Sequence, residues 1–143
     1  MPPQTAEYAI RAAVALASEP ERSLTTRDLA ERTKVPAGYL SKVLQALGRA
    51  GLVKGQRGLG GGFALARPPE DLSLLDVINA VDPIQRITRC PLGLSSHRAT
   101  LCSVHRRIDS GIAMVEALFA ATSLAELVHE SAAARPLCET IPP

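Results

Sequence analysis

The hydrophobic period of this chain changes abruptly at Leu52, and that change narrows the folds open to it. Between Pro36 and Gly51 the apolar residues Leu40, Val43, Leu44 and Leu47 recur at helical spacing. Beyond Gly51 the spacing is lost: Leu52–Arg57 and Gly62–Ala66 are short strand-like runs on either side of Gly58-Leu59-Gly60-Gly61. Two such runs around a glycine-rich link read as a β-hairpin.

The residues before the hairpin supply its platform. Ala6–Ser18 is Ala-rich, with Tyr8, Ala12, Ala15 and Leu16 at helical spacing, and the segment Glu19–Ser23, containing Pro20, ends it. Thr25 or Thr26 can cap a second helix, because a hydroxyl accepts from the free N–H groups of a first turn, and Asp28 there suits the helix dipole. That helix fades near Thr33, and Pro36 is placed for the first turn of a third. Two helices joined by a short turn are a helix-turn-helix, and the hairpin behind them is a wing. Ser73 is a plausible cap for a further helix through Leu74, Leu75, Val77 and Ile78, ending before Pro83. With 46% hydrophobic but only 3% aromatic residues among 143, the core must be Leu, Ala, Val and Ile, a composition that favours helices. No apolar run approaches the roughly 18 residues a membrane span requires. The N-terminus lacks the layout of a signal peptide, so a cytoplasmic protein is expected.

Residues 84–102 carry no period but hold Cys90, Pro91, Gly93, Ser95, Ser96, His97 and Cys102. A loop of this length is usually functional or disordered. Beyond it, Leu101, Val104, Ile108, Gly111, Val115 and Leu118 form a heptad seam, with Ile112 and Phe119 beside it. Such a seam suits packing against a partner helix; the other reading is a helix folded back on its own module. Thr122-Ser123-Leu124-Ala125-Glu126 resembles a cap opening a short last helix. The expected organisation is a mainly α, winged helix-turn-helix domain over 1–82, a cysteine-containing sensor loop over 83–103, a dimerisation helix and short terminal helix over 104–130, and a loose tail over 131–143, where Cys138 lies.

Charge is divided along this organisation. Residues 1–67 hold ten Lys/Arg against five Asp/Glu, a balance of +5, and residues 68–143 hold six against nine, a balance of −3. From Arg32 to Pro69 there are seven basic residues and no acid, a footprint expected of a phosphate-binding surface, or else of a solvated basic face. In a helix-turn-helix the second helix lies in the major groove with its N-terminal residues at base edges. Here those are Ala37, Gly38, Tyr39, Ser41 and Lys42, and Thr26 at the start of the preceding helix joins them. Arg57 is suited to the minor groove. Gly58, Gly60 and Gly61 permit close approach of backbone to phosphate, or they serve, with Gly62, only a tight hairpin. No nucleophile–base constellation and no dense set of acids points to an enzyme.

The runs Tyr39-Leu-Ser-Lys-Val-Leu44, Gly51-Leu-Val53 and Arg57-Gly-Leu-Gly-Gly-Gly-Phe63, with Glu7-Tyr-Ala-Ile-Arg11-Ala12, resemble the bacterial winged-helix regulators of the IscR, NsrR and RsrR type, the Rrf family. The resemblance extends to about Leu127. It implies a homodimer on a double-stranded, pseudo-palindromic DNA operator, joined through the long helix, with repression as the expected sense of regulation. Members with a cofactor hold an iron–sulfur cluster on evenly spaced cysteines followed by a histidine. Cys90 and Cys102 match the outer cysteines and His105 the histidine, whereas Ser96 replaces the central cysteine, with His97 beside it. Glu7 matches an acidic ligand given by the other subunit, and Arg11 stands where a histidine would follow. A hydroxyl is a poor iron ligand, so the implied ligands of a [2Fe–2S] centre are Cys90 and Cys102, then His105 or His97, then Glu7. Two alternatives stay open: Cys90 and Cys102 as a thiol/disulfide switch without a cluster, or as inert thiols.

Overall fold

Helix α1 (Gln4–Ser18) is buried on nearly every side, at Ala6, Ala9, Ala12, Ala13, Val14, Ala15, Leu16 and Ala17. A helix that is apolar all round belongs at the centre of a domain, and its small side chains let neighbours come close. In the computed structural model, which describes residues 4–130, α2 (Thr26–Thr33), α3 (Ala37–Arg49), α4 (Leu74–Val81), α6 (Leu124–His129) and strand β2 (Gly62–Leu65) all pack on α1. The expected loose tail and Cys138 lie outside the described residues.

Local chemistry sets the ends of these elements. Of the two candidate caps for α2, Thr25 is the one used: its hydroxyl accepts from the Asp28 N–H at 3.1 Å and Asp28 accepts from the Thr25 N–H at 3.0 Å. The Thr25 N–H, and after it the Thr25 side chain, hold the Asp28 carboxyl below its ordinary range. Ser73 with Asp76 and Ser123 with Glu126 repeat this reciprocal cap on α4 and α6. Pro36 stands at the cap of α3 and the helix begins at Ala37. In the turn between α2 and α3, Lys34 adopts a left-handed conformation with φ 59°. Thr33 is buried there, donating to the Leu29 carbonyl at 2.6 Å and accepting from the Val35 N–H at 3.3 Å.

Strand β1 (Val53–Gln56) pairs antiparallel with β2 in the register Val53↔Leu65 to Gln56↔Gly62. The hairpin is fastened through β2, because Leu24 and Phe63 exchange backbone hydrogen bonds of 2.9 and 2.7 Å. A 3-10 turn at Pro69–Asp71 leads into α4, and a second at Ser95–His97 lies in the long loop that follows. Helix α5 (Ser103–Ala121) then runs along α4 with no buried residue of its own. At its end the chain returns to the first module: the Leu124 N–H donates to the Leu72 carbonyl and the Leu74 N–H to the Thr122 carbonyl, both at 2.8 Å. Leu124 is wholly buried in the core with Leu16, Leu24, Leu29, Leu40, Leu47 and Leu72. The short terminal helix, grouped by sequence with the long one, thus packs on α1. The architecture is mainly helical with a two-strand hairpin and a long C-terminal helix, as the periodicity predicts. Among the described residues no helix is long and apolar enough to cross a membrane.

Candidate nucleic-acid interface and cysteine loop

Helix α3 divides cleanly into two faces. Leu40, Val43, Leu44 and Leu47 enter the core, while Ala37, Gly38, Tyr39, Ser41 and Lys42 are exposed, and Tyr39 shows 53% of its surface. The Ser41 hydroxyl donates to the Ala37 carbonyl at 3.2 Å. Unlike α2, α4 and α6, this helix has no side-chain cap and no acid in its first turn. Its first N–H groups and the positive end of its dipole are therefore open to an anion. Thr26, half-buried, sits at the first position of α2.

Of the basic run, Lys42, Arg49, Lys54, Arg57 and Arg67 are exposed, and none of these five enters an ion pair among the described residues. Arg32 is paired with Glu19. Arg57 ends the first arm of the wing, and Leu59 stands at its tip, fully exposed. The glycines around Leu59 differ in what they need. Gly58 and Gly60 have φ of 91° and 76° with open space around them. Gly61 and Gly62 are enclosed: a Cβ on Gly62 would lie 2.4 Å from the Leu24 carbonyl oxygen. Sequence reasoning passed over Leu59 and read Gly62 only as part of a tight hairpin. A bulky apolar residue between glycines was the legible signal for the first, while the second depends on a strand bridge visible only in three dimensions.

Behind α3 lies a cluster that sequence did not assemble. Tyr8 meets the Tyr39 ring edge-on, with centroids 5.7 Å apart and planes at 64°. The Arg11 guanidinium lies 5.7 Å from the Tyr8 ring centre. Arg11 donates to Glu7 at 3.0 Å and to the Thr33 carbonyl at 3.3 Å. Glu7 is thus engaged within α1 and does not approach the cysteine loop of its own chain in any donor group of three.

The loop presents its sulfur and nitrogen donors as two pairs. Cys102 Sγ lies 3.3 Å from His105 Nδ1. Cys90 is faced by the Leu94 backbone N–H, then the His97 imidazole and the Leu92 N–H, which together pull its thiol down to about 7. The Nδ1 of His97 is buried without a partner in hydrogen-bond geometry, so the backbone donors do more for the thiolate than the ring does. A buried, unpartnered imidazole nitrogen beside a thiolate is donor chemistry that fits iron. Among the described residues, however, no three His, Cys, Asp or Glu side chains gather closely enough to hold a metal ion. Ser96 stands beside His97 in the 3-10 turn. The loop's start is lashed to α5: Arg86 makes two bonds of 2.8 Å to Asp109 and one of 3.4 Å to Glu116, and Asp109 also accepts from the Ile87 N–H at 2.8 Å.

Comparison with known proteins agrees with this geometry. The Rrf2 family, described as iron-dependent transcriptional regulators, matches residues 3–130. An HTH-type transcriptional regulator of Aquifex aeolicus is 27% identical over 128 residues, 87% of this chain and 89% of the relative. One from Haemophilus influenzae is 29% identical over 124 residues, 86% and 83% of the two chains. Among solved structures, T. potens IscR superposes with a TM-score of 0.70 at 25% identity, covering 88% of this chain and 84% of that one. CymR, the global cysteine regulator of B. subtilis, shares the fold with a TM-score of 0.76 at 20% identity, over 92% and 98%. Because the family match runs through the winged module, the cysteine loop and the long helix alike, the chain belongs as a whole to the Rrf2 family of helix-turn-helix transcriptional regulators, which are not enzymes.

Proposed function

We propose that this chain is a homodimeric, sequence-specific DNA-binding repressor whose cysteine loop senses redox, iron–sulfur or nitrosative status. The observation that carries the DNA-binding part is the outer face of α3. Its first turn is uncapped, its side chains there are small or hydroxylic, and Lys42 follows. In this reading Ala37, Gly38, Tyr39, Ser41 and Lys42 enter the major groove, Thr26 approaches the backbone, and Arg57 with Gly58, Gly60 and Gly61 follows the minor groove. Substituting Arg57→Ala weakens binding to a selected duplex. Unchanged affinity would instead favour a protein-interaction adaptor.

The dimer reading rests on α5. Val104, Ile108, Met114, Val115 and Leu118 are 46–75% exposed along one helix, and a groove of about 790 Å³ lined by Ile10, Ile78, Ile84, Ile112 and Phe119 opens beside them. A contiguous apolar stripe of this kind marks a protein interface. The second copy's long helix is the proposed occupant; the winged module with α6 packed back on it is then the DNA-binding end, and the cysteine loop with α5 the sensing and pairing end.

The residues proposed to hold a [2Fe–2S] centre are Cys90 and Cys102, then His105 or His97, with Glu7 of a second copy. Such a centre would supply one-electron redox chemistry and sensitivity to oxidants. Iron and acid-labile sulfide are measured on protein purified without oxygen, with Cys90→Ala and Cys102→Ala alongside. Stoichiometric iron lost in both variants supports the cluster; none after reconstitution removes it and leaves DNA binding standing. The second reading, a thiol switch, is favoured by the absence of a gathered three-donor group among the described residues. There, oxidation of the two thiols to a disulfide would release two protons and two electrons to an external oxidant. A Cys90–Cys102 cross-linked peptide in the oxidised protein identifies it.

A further inference from the structure

The first bulky side chain of α3 is held from behind. Ala37 and Gly38 offer nothing for a neighbour to brace, so Tyr39 is where α1 can act on the exposed end of the helix. Its ring rests edge-on against Tyr8, itself half-buried. Tyr8 is fixed on two sides: its hydroxyl accepts from Gln4 at 2.7 Å, and Arg11 lies over its ring. Arg11 in turn grips the carbonyl of Thr33, the last residue of α2. One stretch of α1 therefore holds the end of one helix and the start of the next, the two elements whose relative pose decides what reaches a groove.

We propose that Tyr8 is a positioning residue for DNA recognition: braced by Arg11, it sets the pose in which Tyr39 presents its hydroxyl to the duplex. This rests on the DNA-binding reading above. An edge-to-face aromatic pair costs the free protein nothing on binding, whereas an unbraced tyrosine must lose rotamer freedom at that moment. Arg11 lies over the ring and ties it to the turn, so the brace and the turn are coupled.

The test selects duplexes from a random-sequence pool with the full chain, then with Tyr8→Ala, Tyr8→Phe, Tyr39→Ala and the Tyr8→Ala/Tyr39→Ala pair, with thermal midpoints alongside. Tyr8→Ala is expected to weaken the wild-type duplex by about two- to tenfold and to lose base preference at the same positions as Tyr39→Ala. Tyr8→Phe keeps both, because the ring contact survives. The double variant binds no worse than Tyr39→Ala alone. A Tyr8→Ala protein that retains the full motif, or losses that add in the double variant, overturns the proposal while the regulator reading stands. A wild-type chain that enriches no motif brings down the regulator reading itself.

Discussion

The two halves of the molecule solve the burial problem differently. The winged module closes a core of leucines, with Leu16, Leu24, Leu29, Leu40, Leu47, Leu72 and Leu124 each at or below 1% exposure. The long helix α5 is more than twice the length of α4 and buries none of its residues. A side chain such as Leu or Val gains about 1.5–3 kcal/mol when taken fully out of water, and α5 leaves about half of that gain unrealised at Val104, Ile108, Val115 and Leu118. The first half is complete as one chain. The second is shaped for something to be laid against it.

Two leucines six positions apart put the largest expected effect on that contrast. Leu124 is wholly buried, and Leu118 is 63% exposed. Leu124→Ala is expected to cost about 2–5 kcal/mol in denaturant unfolding, as a cavity in a packed core does. Leu118→Ala is expected to change the stability of the single chain by less than about 0.5 kcal/mol, while raising the dissociation constant of the proposed dimer in sedimentation. Equal costs in the single chain would break the comparison.

Within the wing the same contrast appears between glycines. Gly62 has φ of 134°, and a Cβ there would meet the Leu24 carbonyl oxygen and carbon at 2.4 and 2.6 Å and the Thr25 nitrogen at 2.9 Å. These are backbone atoms and cannot swing away. Gly62→Ala is expected to destabilise by about 2–4 kcal/mol and to free the hairpin from the α1–α2 connection. Gly58→Ala meets nothing within 4 Å, and its φ of 91° alone is expected to cost about 1–2 kcal/mol. Urea unfolding of the two variants orders them.

Much of this was legible beforehand because it is local. The α3 stripe, the Thr25, Ser73 and Ser123 caps and the glycine-rich hairpin each follow from spacing or from one residue's hydrogen-bonding capacity. Long-range pairings were not legible. The Leu24–Phe63 bridge, the return of Leu124 to Leu72 and the meeting of Tyr8 with Tyr39 join positions whose partners no period announces. Lys34 was missed for a different reason: a lysine at positive φ carries none of the glycine or asparagine signal of a left-handed turn. In the cysteine loop the donor types were readable, but their grouping into a Cys90 pair and a Cys102 pair is a matter of loop path.

The lash between the start of the cysteine loop and α5 gives a pH-dependent way to sharpen the contrast. Arg86 holds the Asp109 carboxyl at about 2, against an ordinary 3.8, with the Ile87 N–H adding to it. A depressed carboxylate stabilises the folded form above its ordinary pKa, and that contribution fades as pH falls from 3.8 through about 2. Amide exchange at Ile87 is expected to lose protection over that window, while Leu47, buried in α3, a helix with no acid in its cap, keeps its protection to lower pH. Asp109→Asn removes the dependence and leaves Ile87 less protected at neutral pH.

The smallest effect lies at Cys90, where local backbone rather than core packing sets the chemistry. The Leu94 N–H is the strongest influence on its thiol, the His97 side chain the next, and the midpoint is about 7 instead of 9.0. In the metal-free, reduced protein, alkylation of Cys90 should therefore rise with a midpoint near pH 7, since the thiolate is the nucleophile. His97→Ala should move that midpoint upward only part of the way to 9.0, because the backbone donors remain. A full return would mean that the imidazole, not the loop's backbone, governs the thiol. The loop would then depend on one side chain, as the α5 lash depends on Arg86, and would lose the self-sufficiency of the winged module's caps.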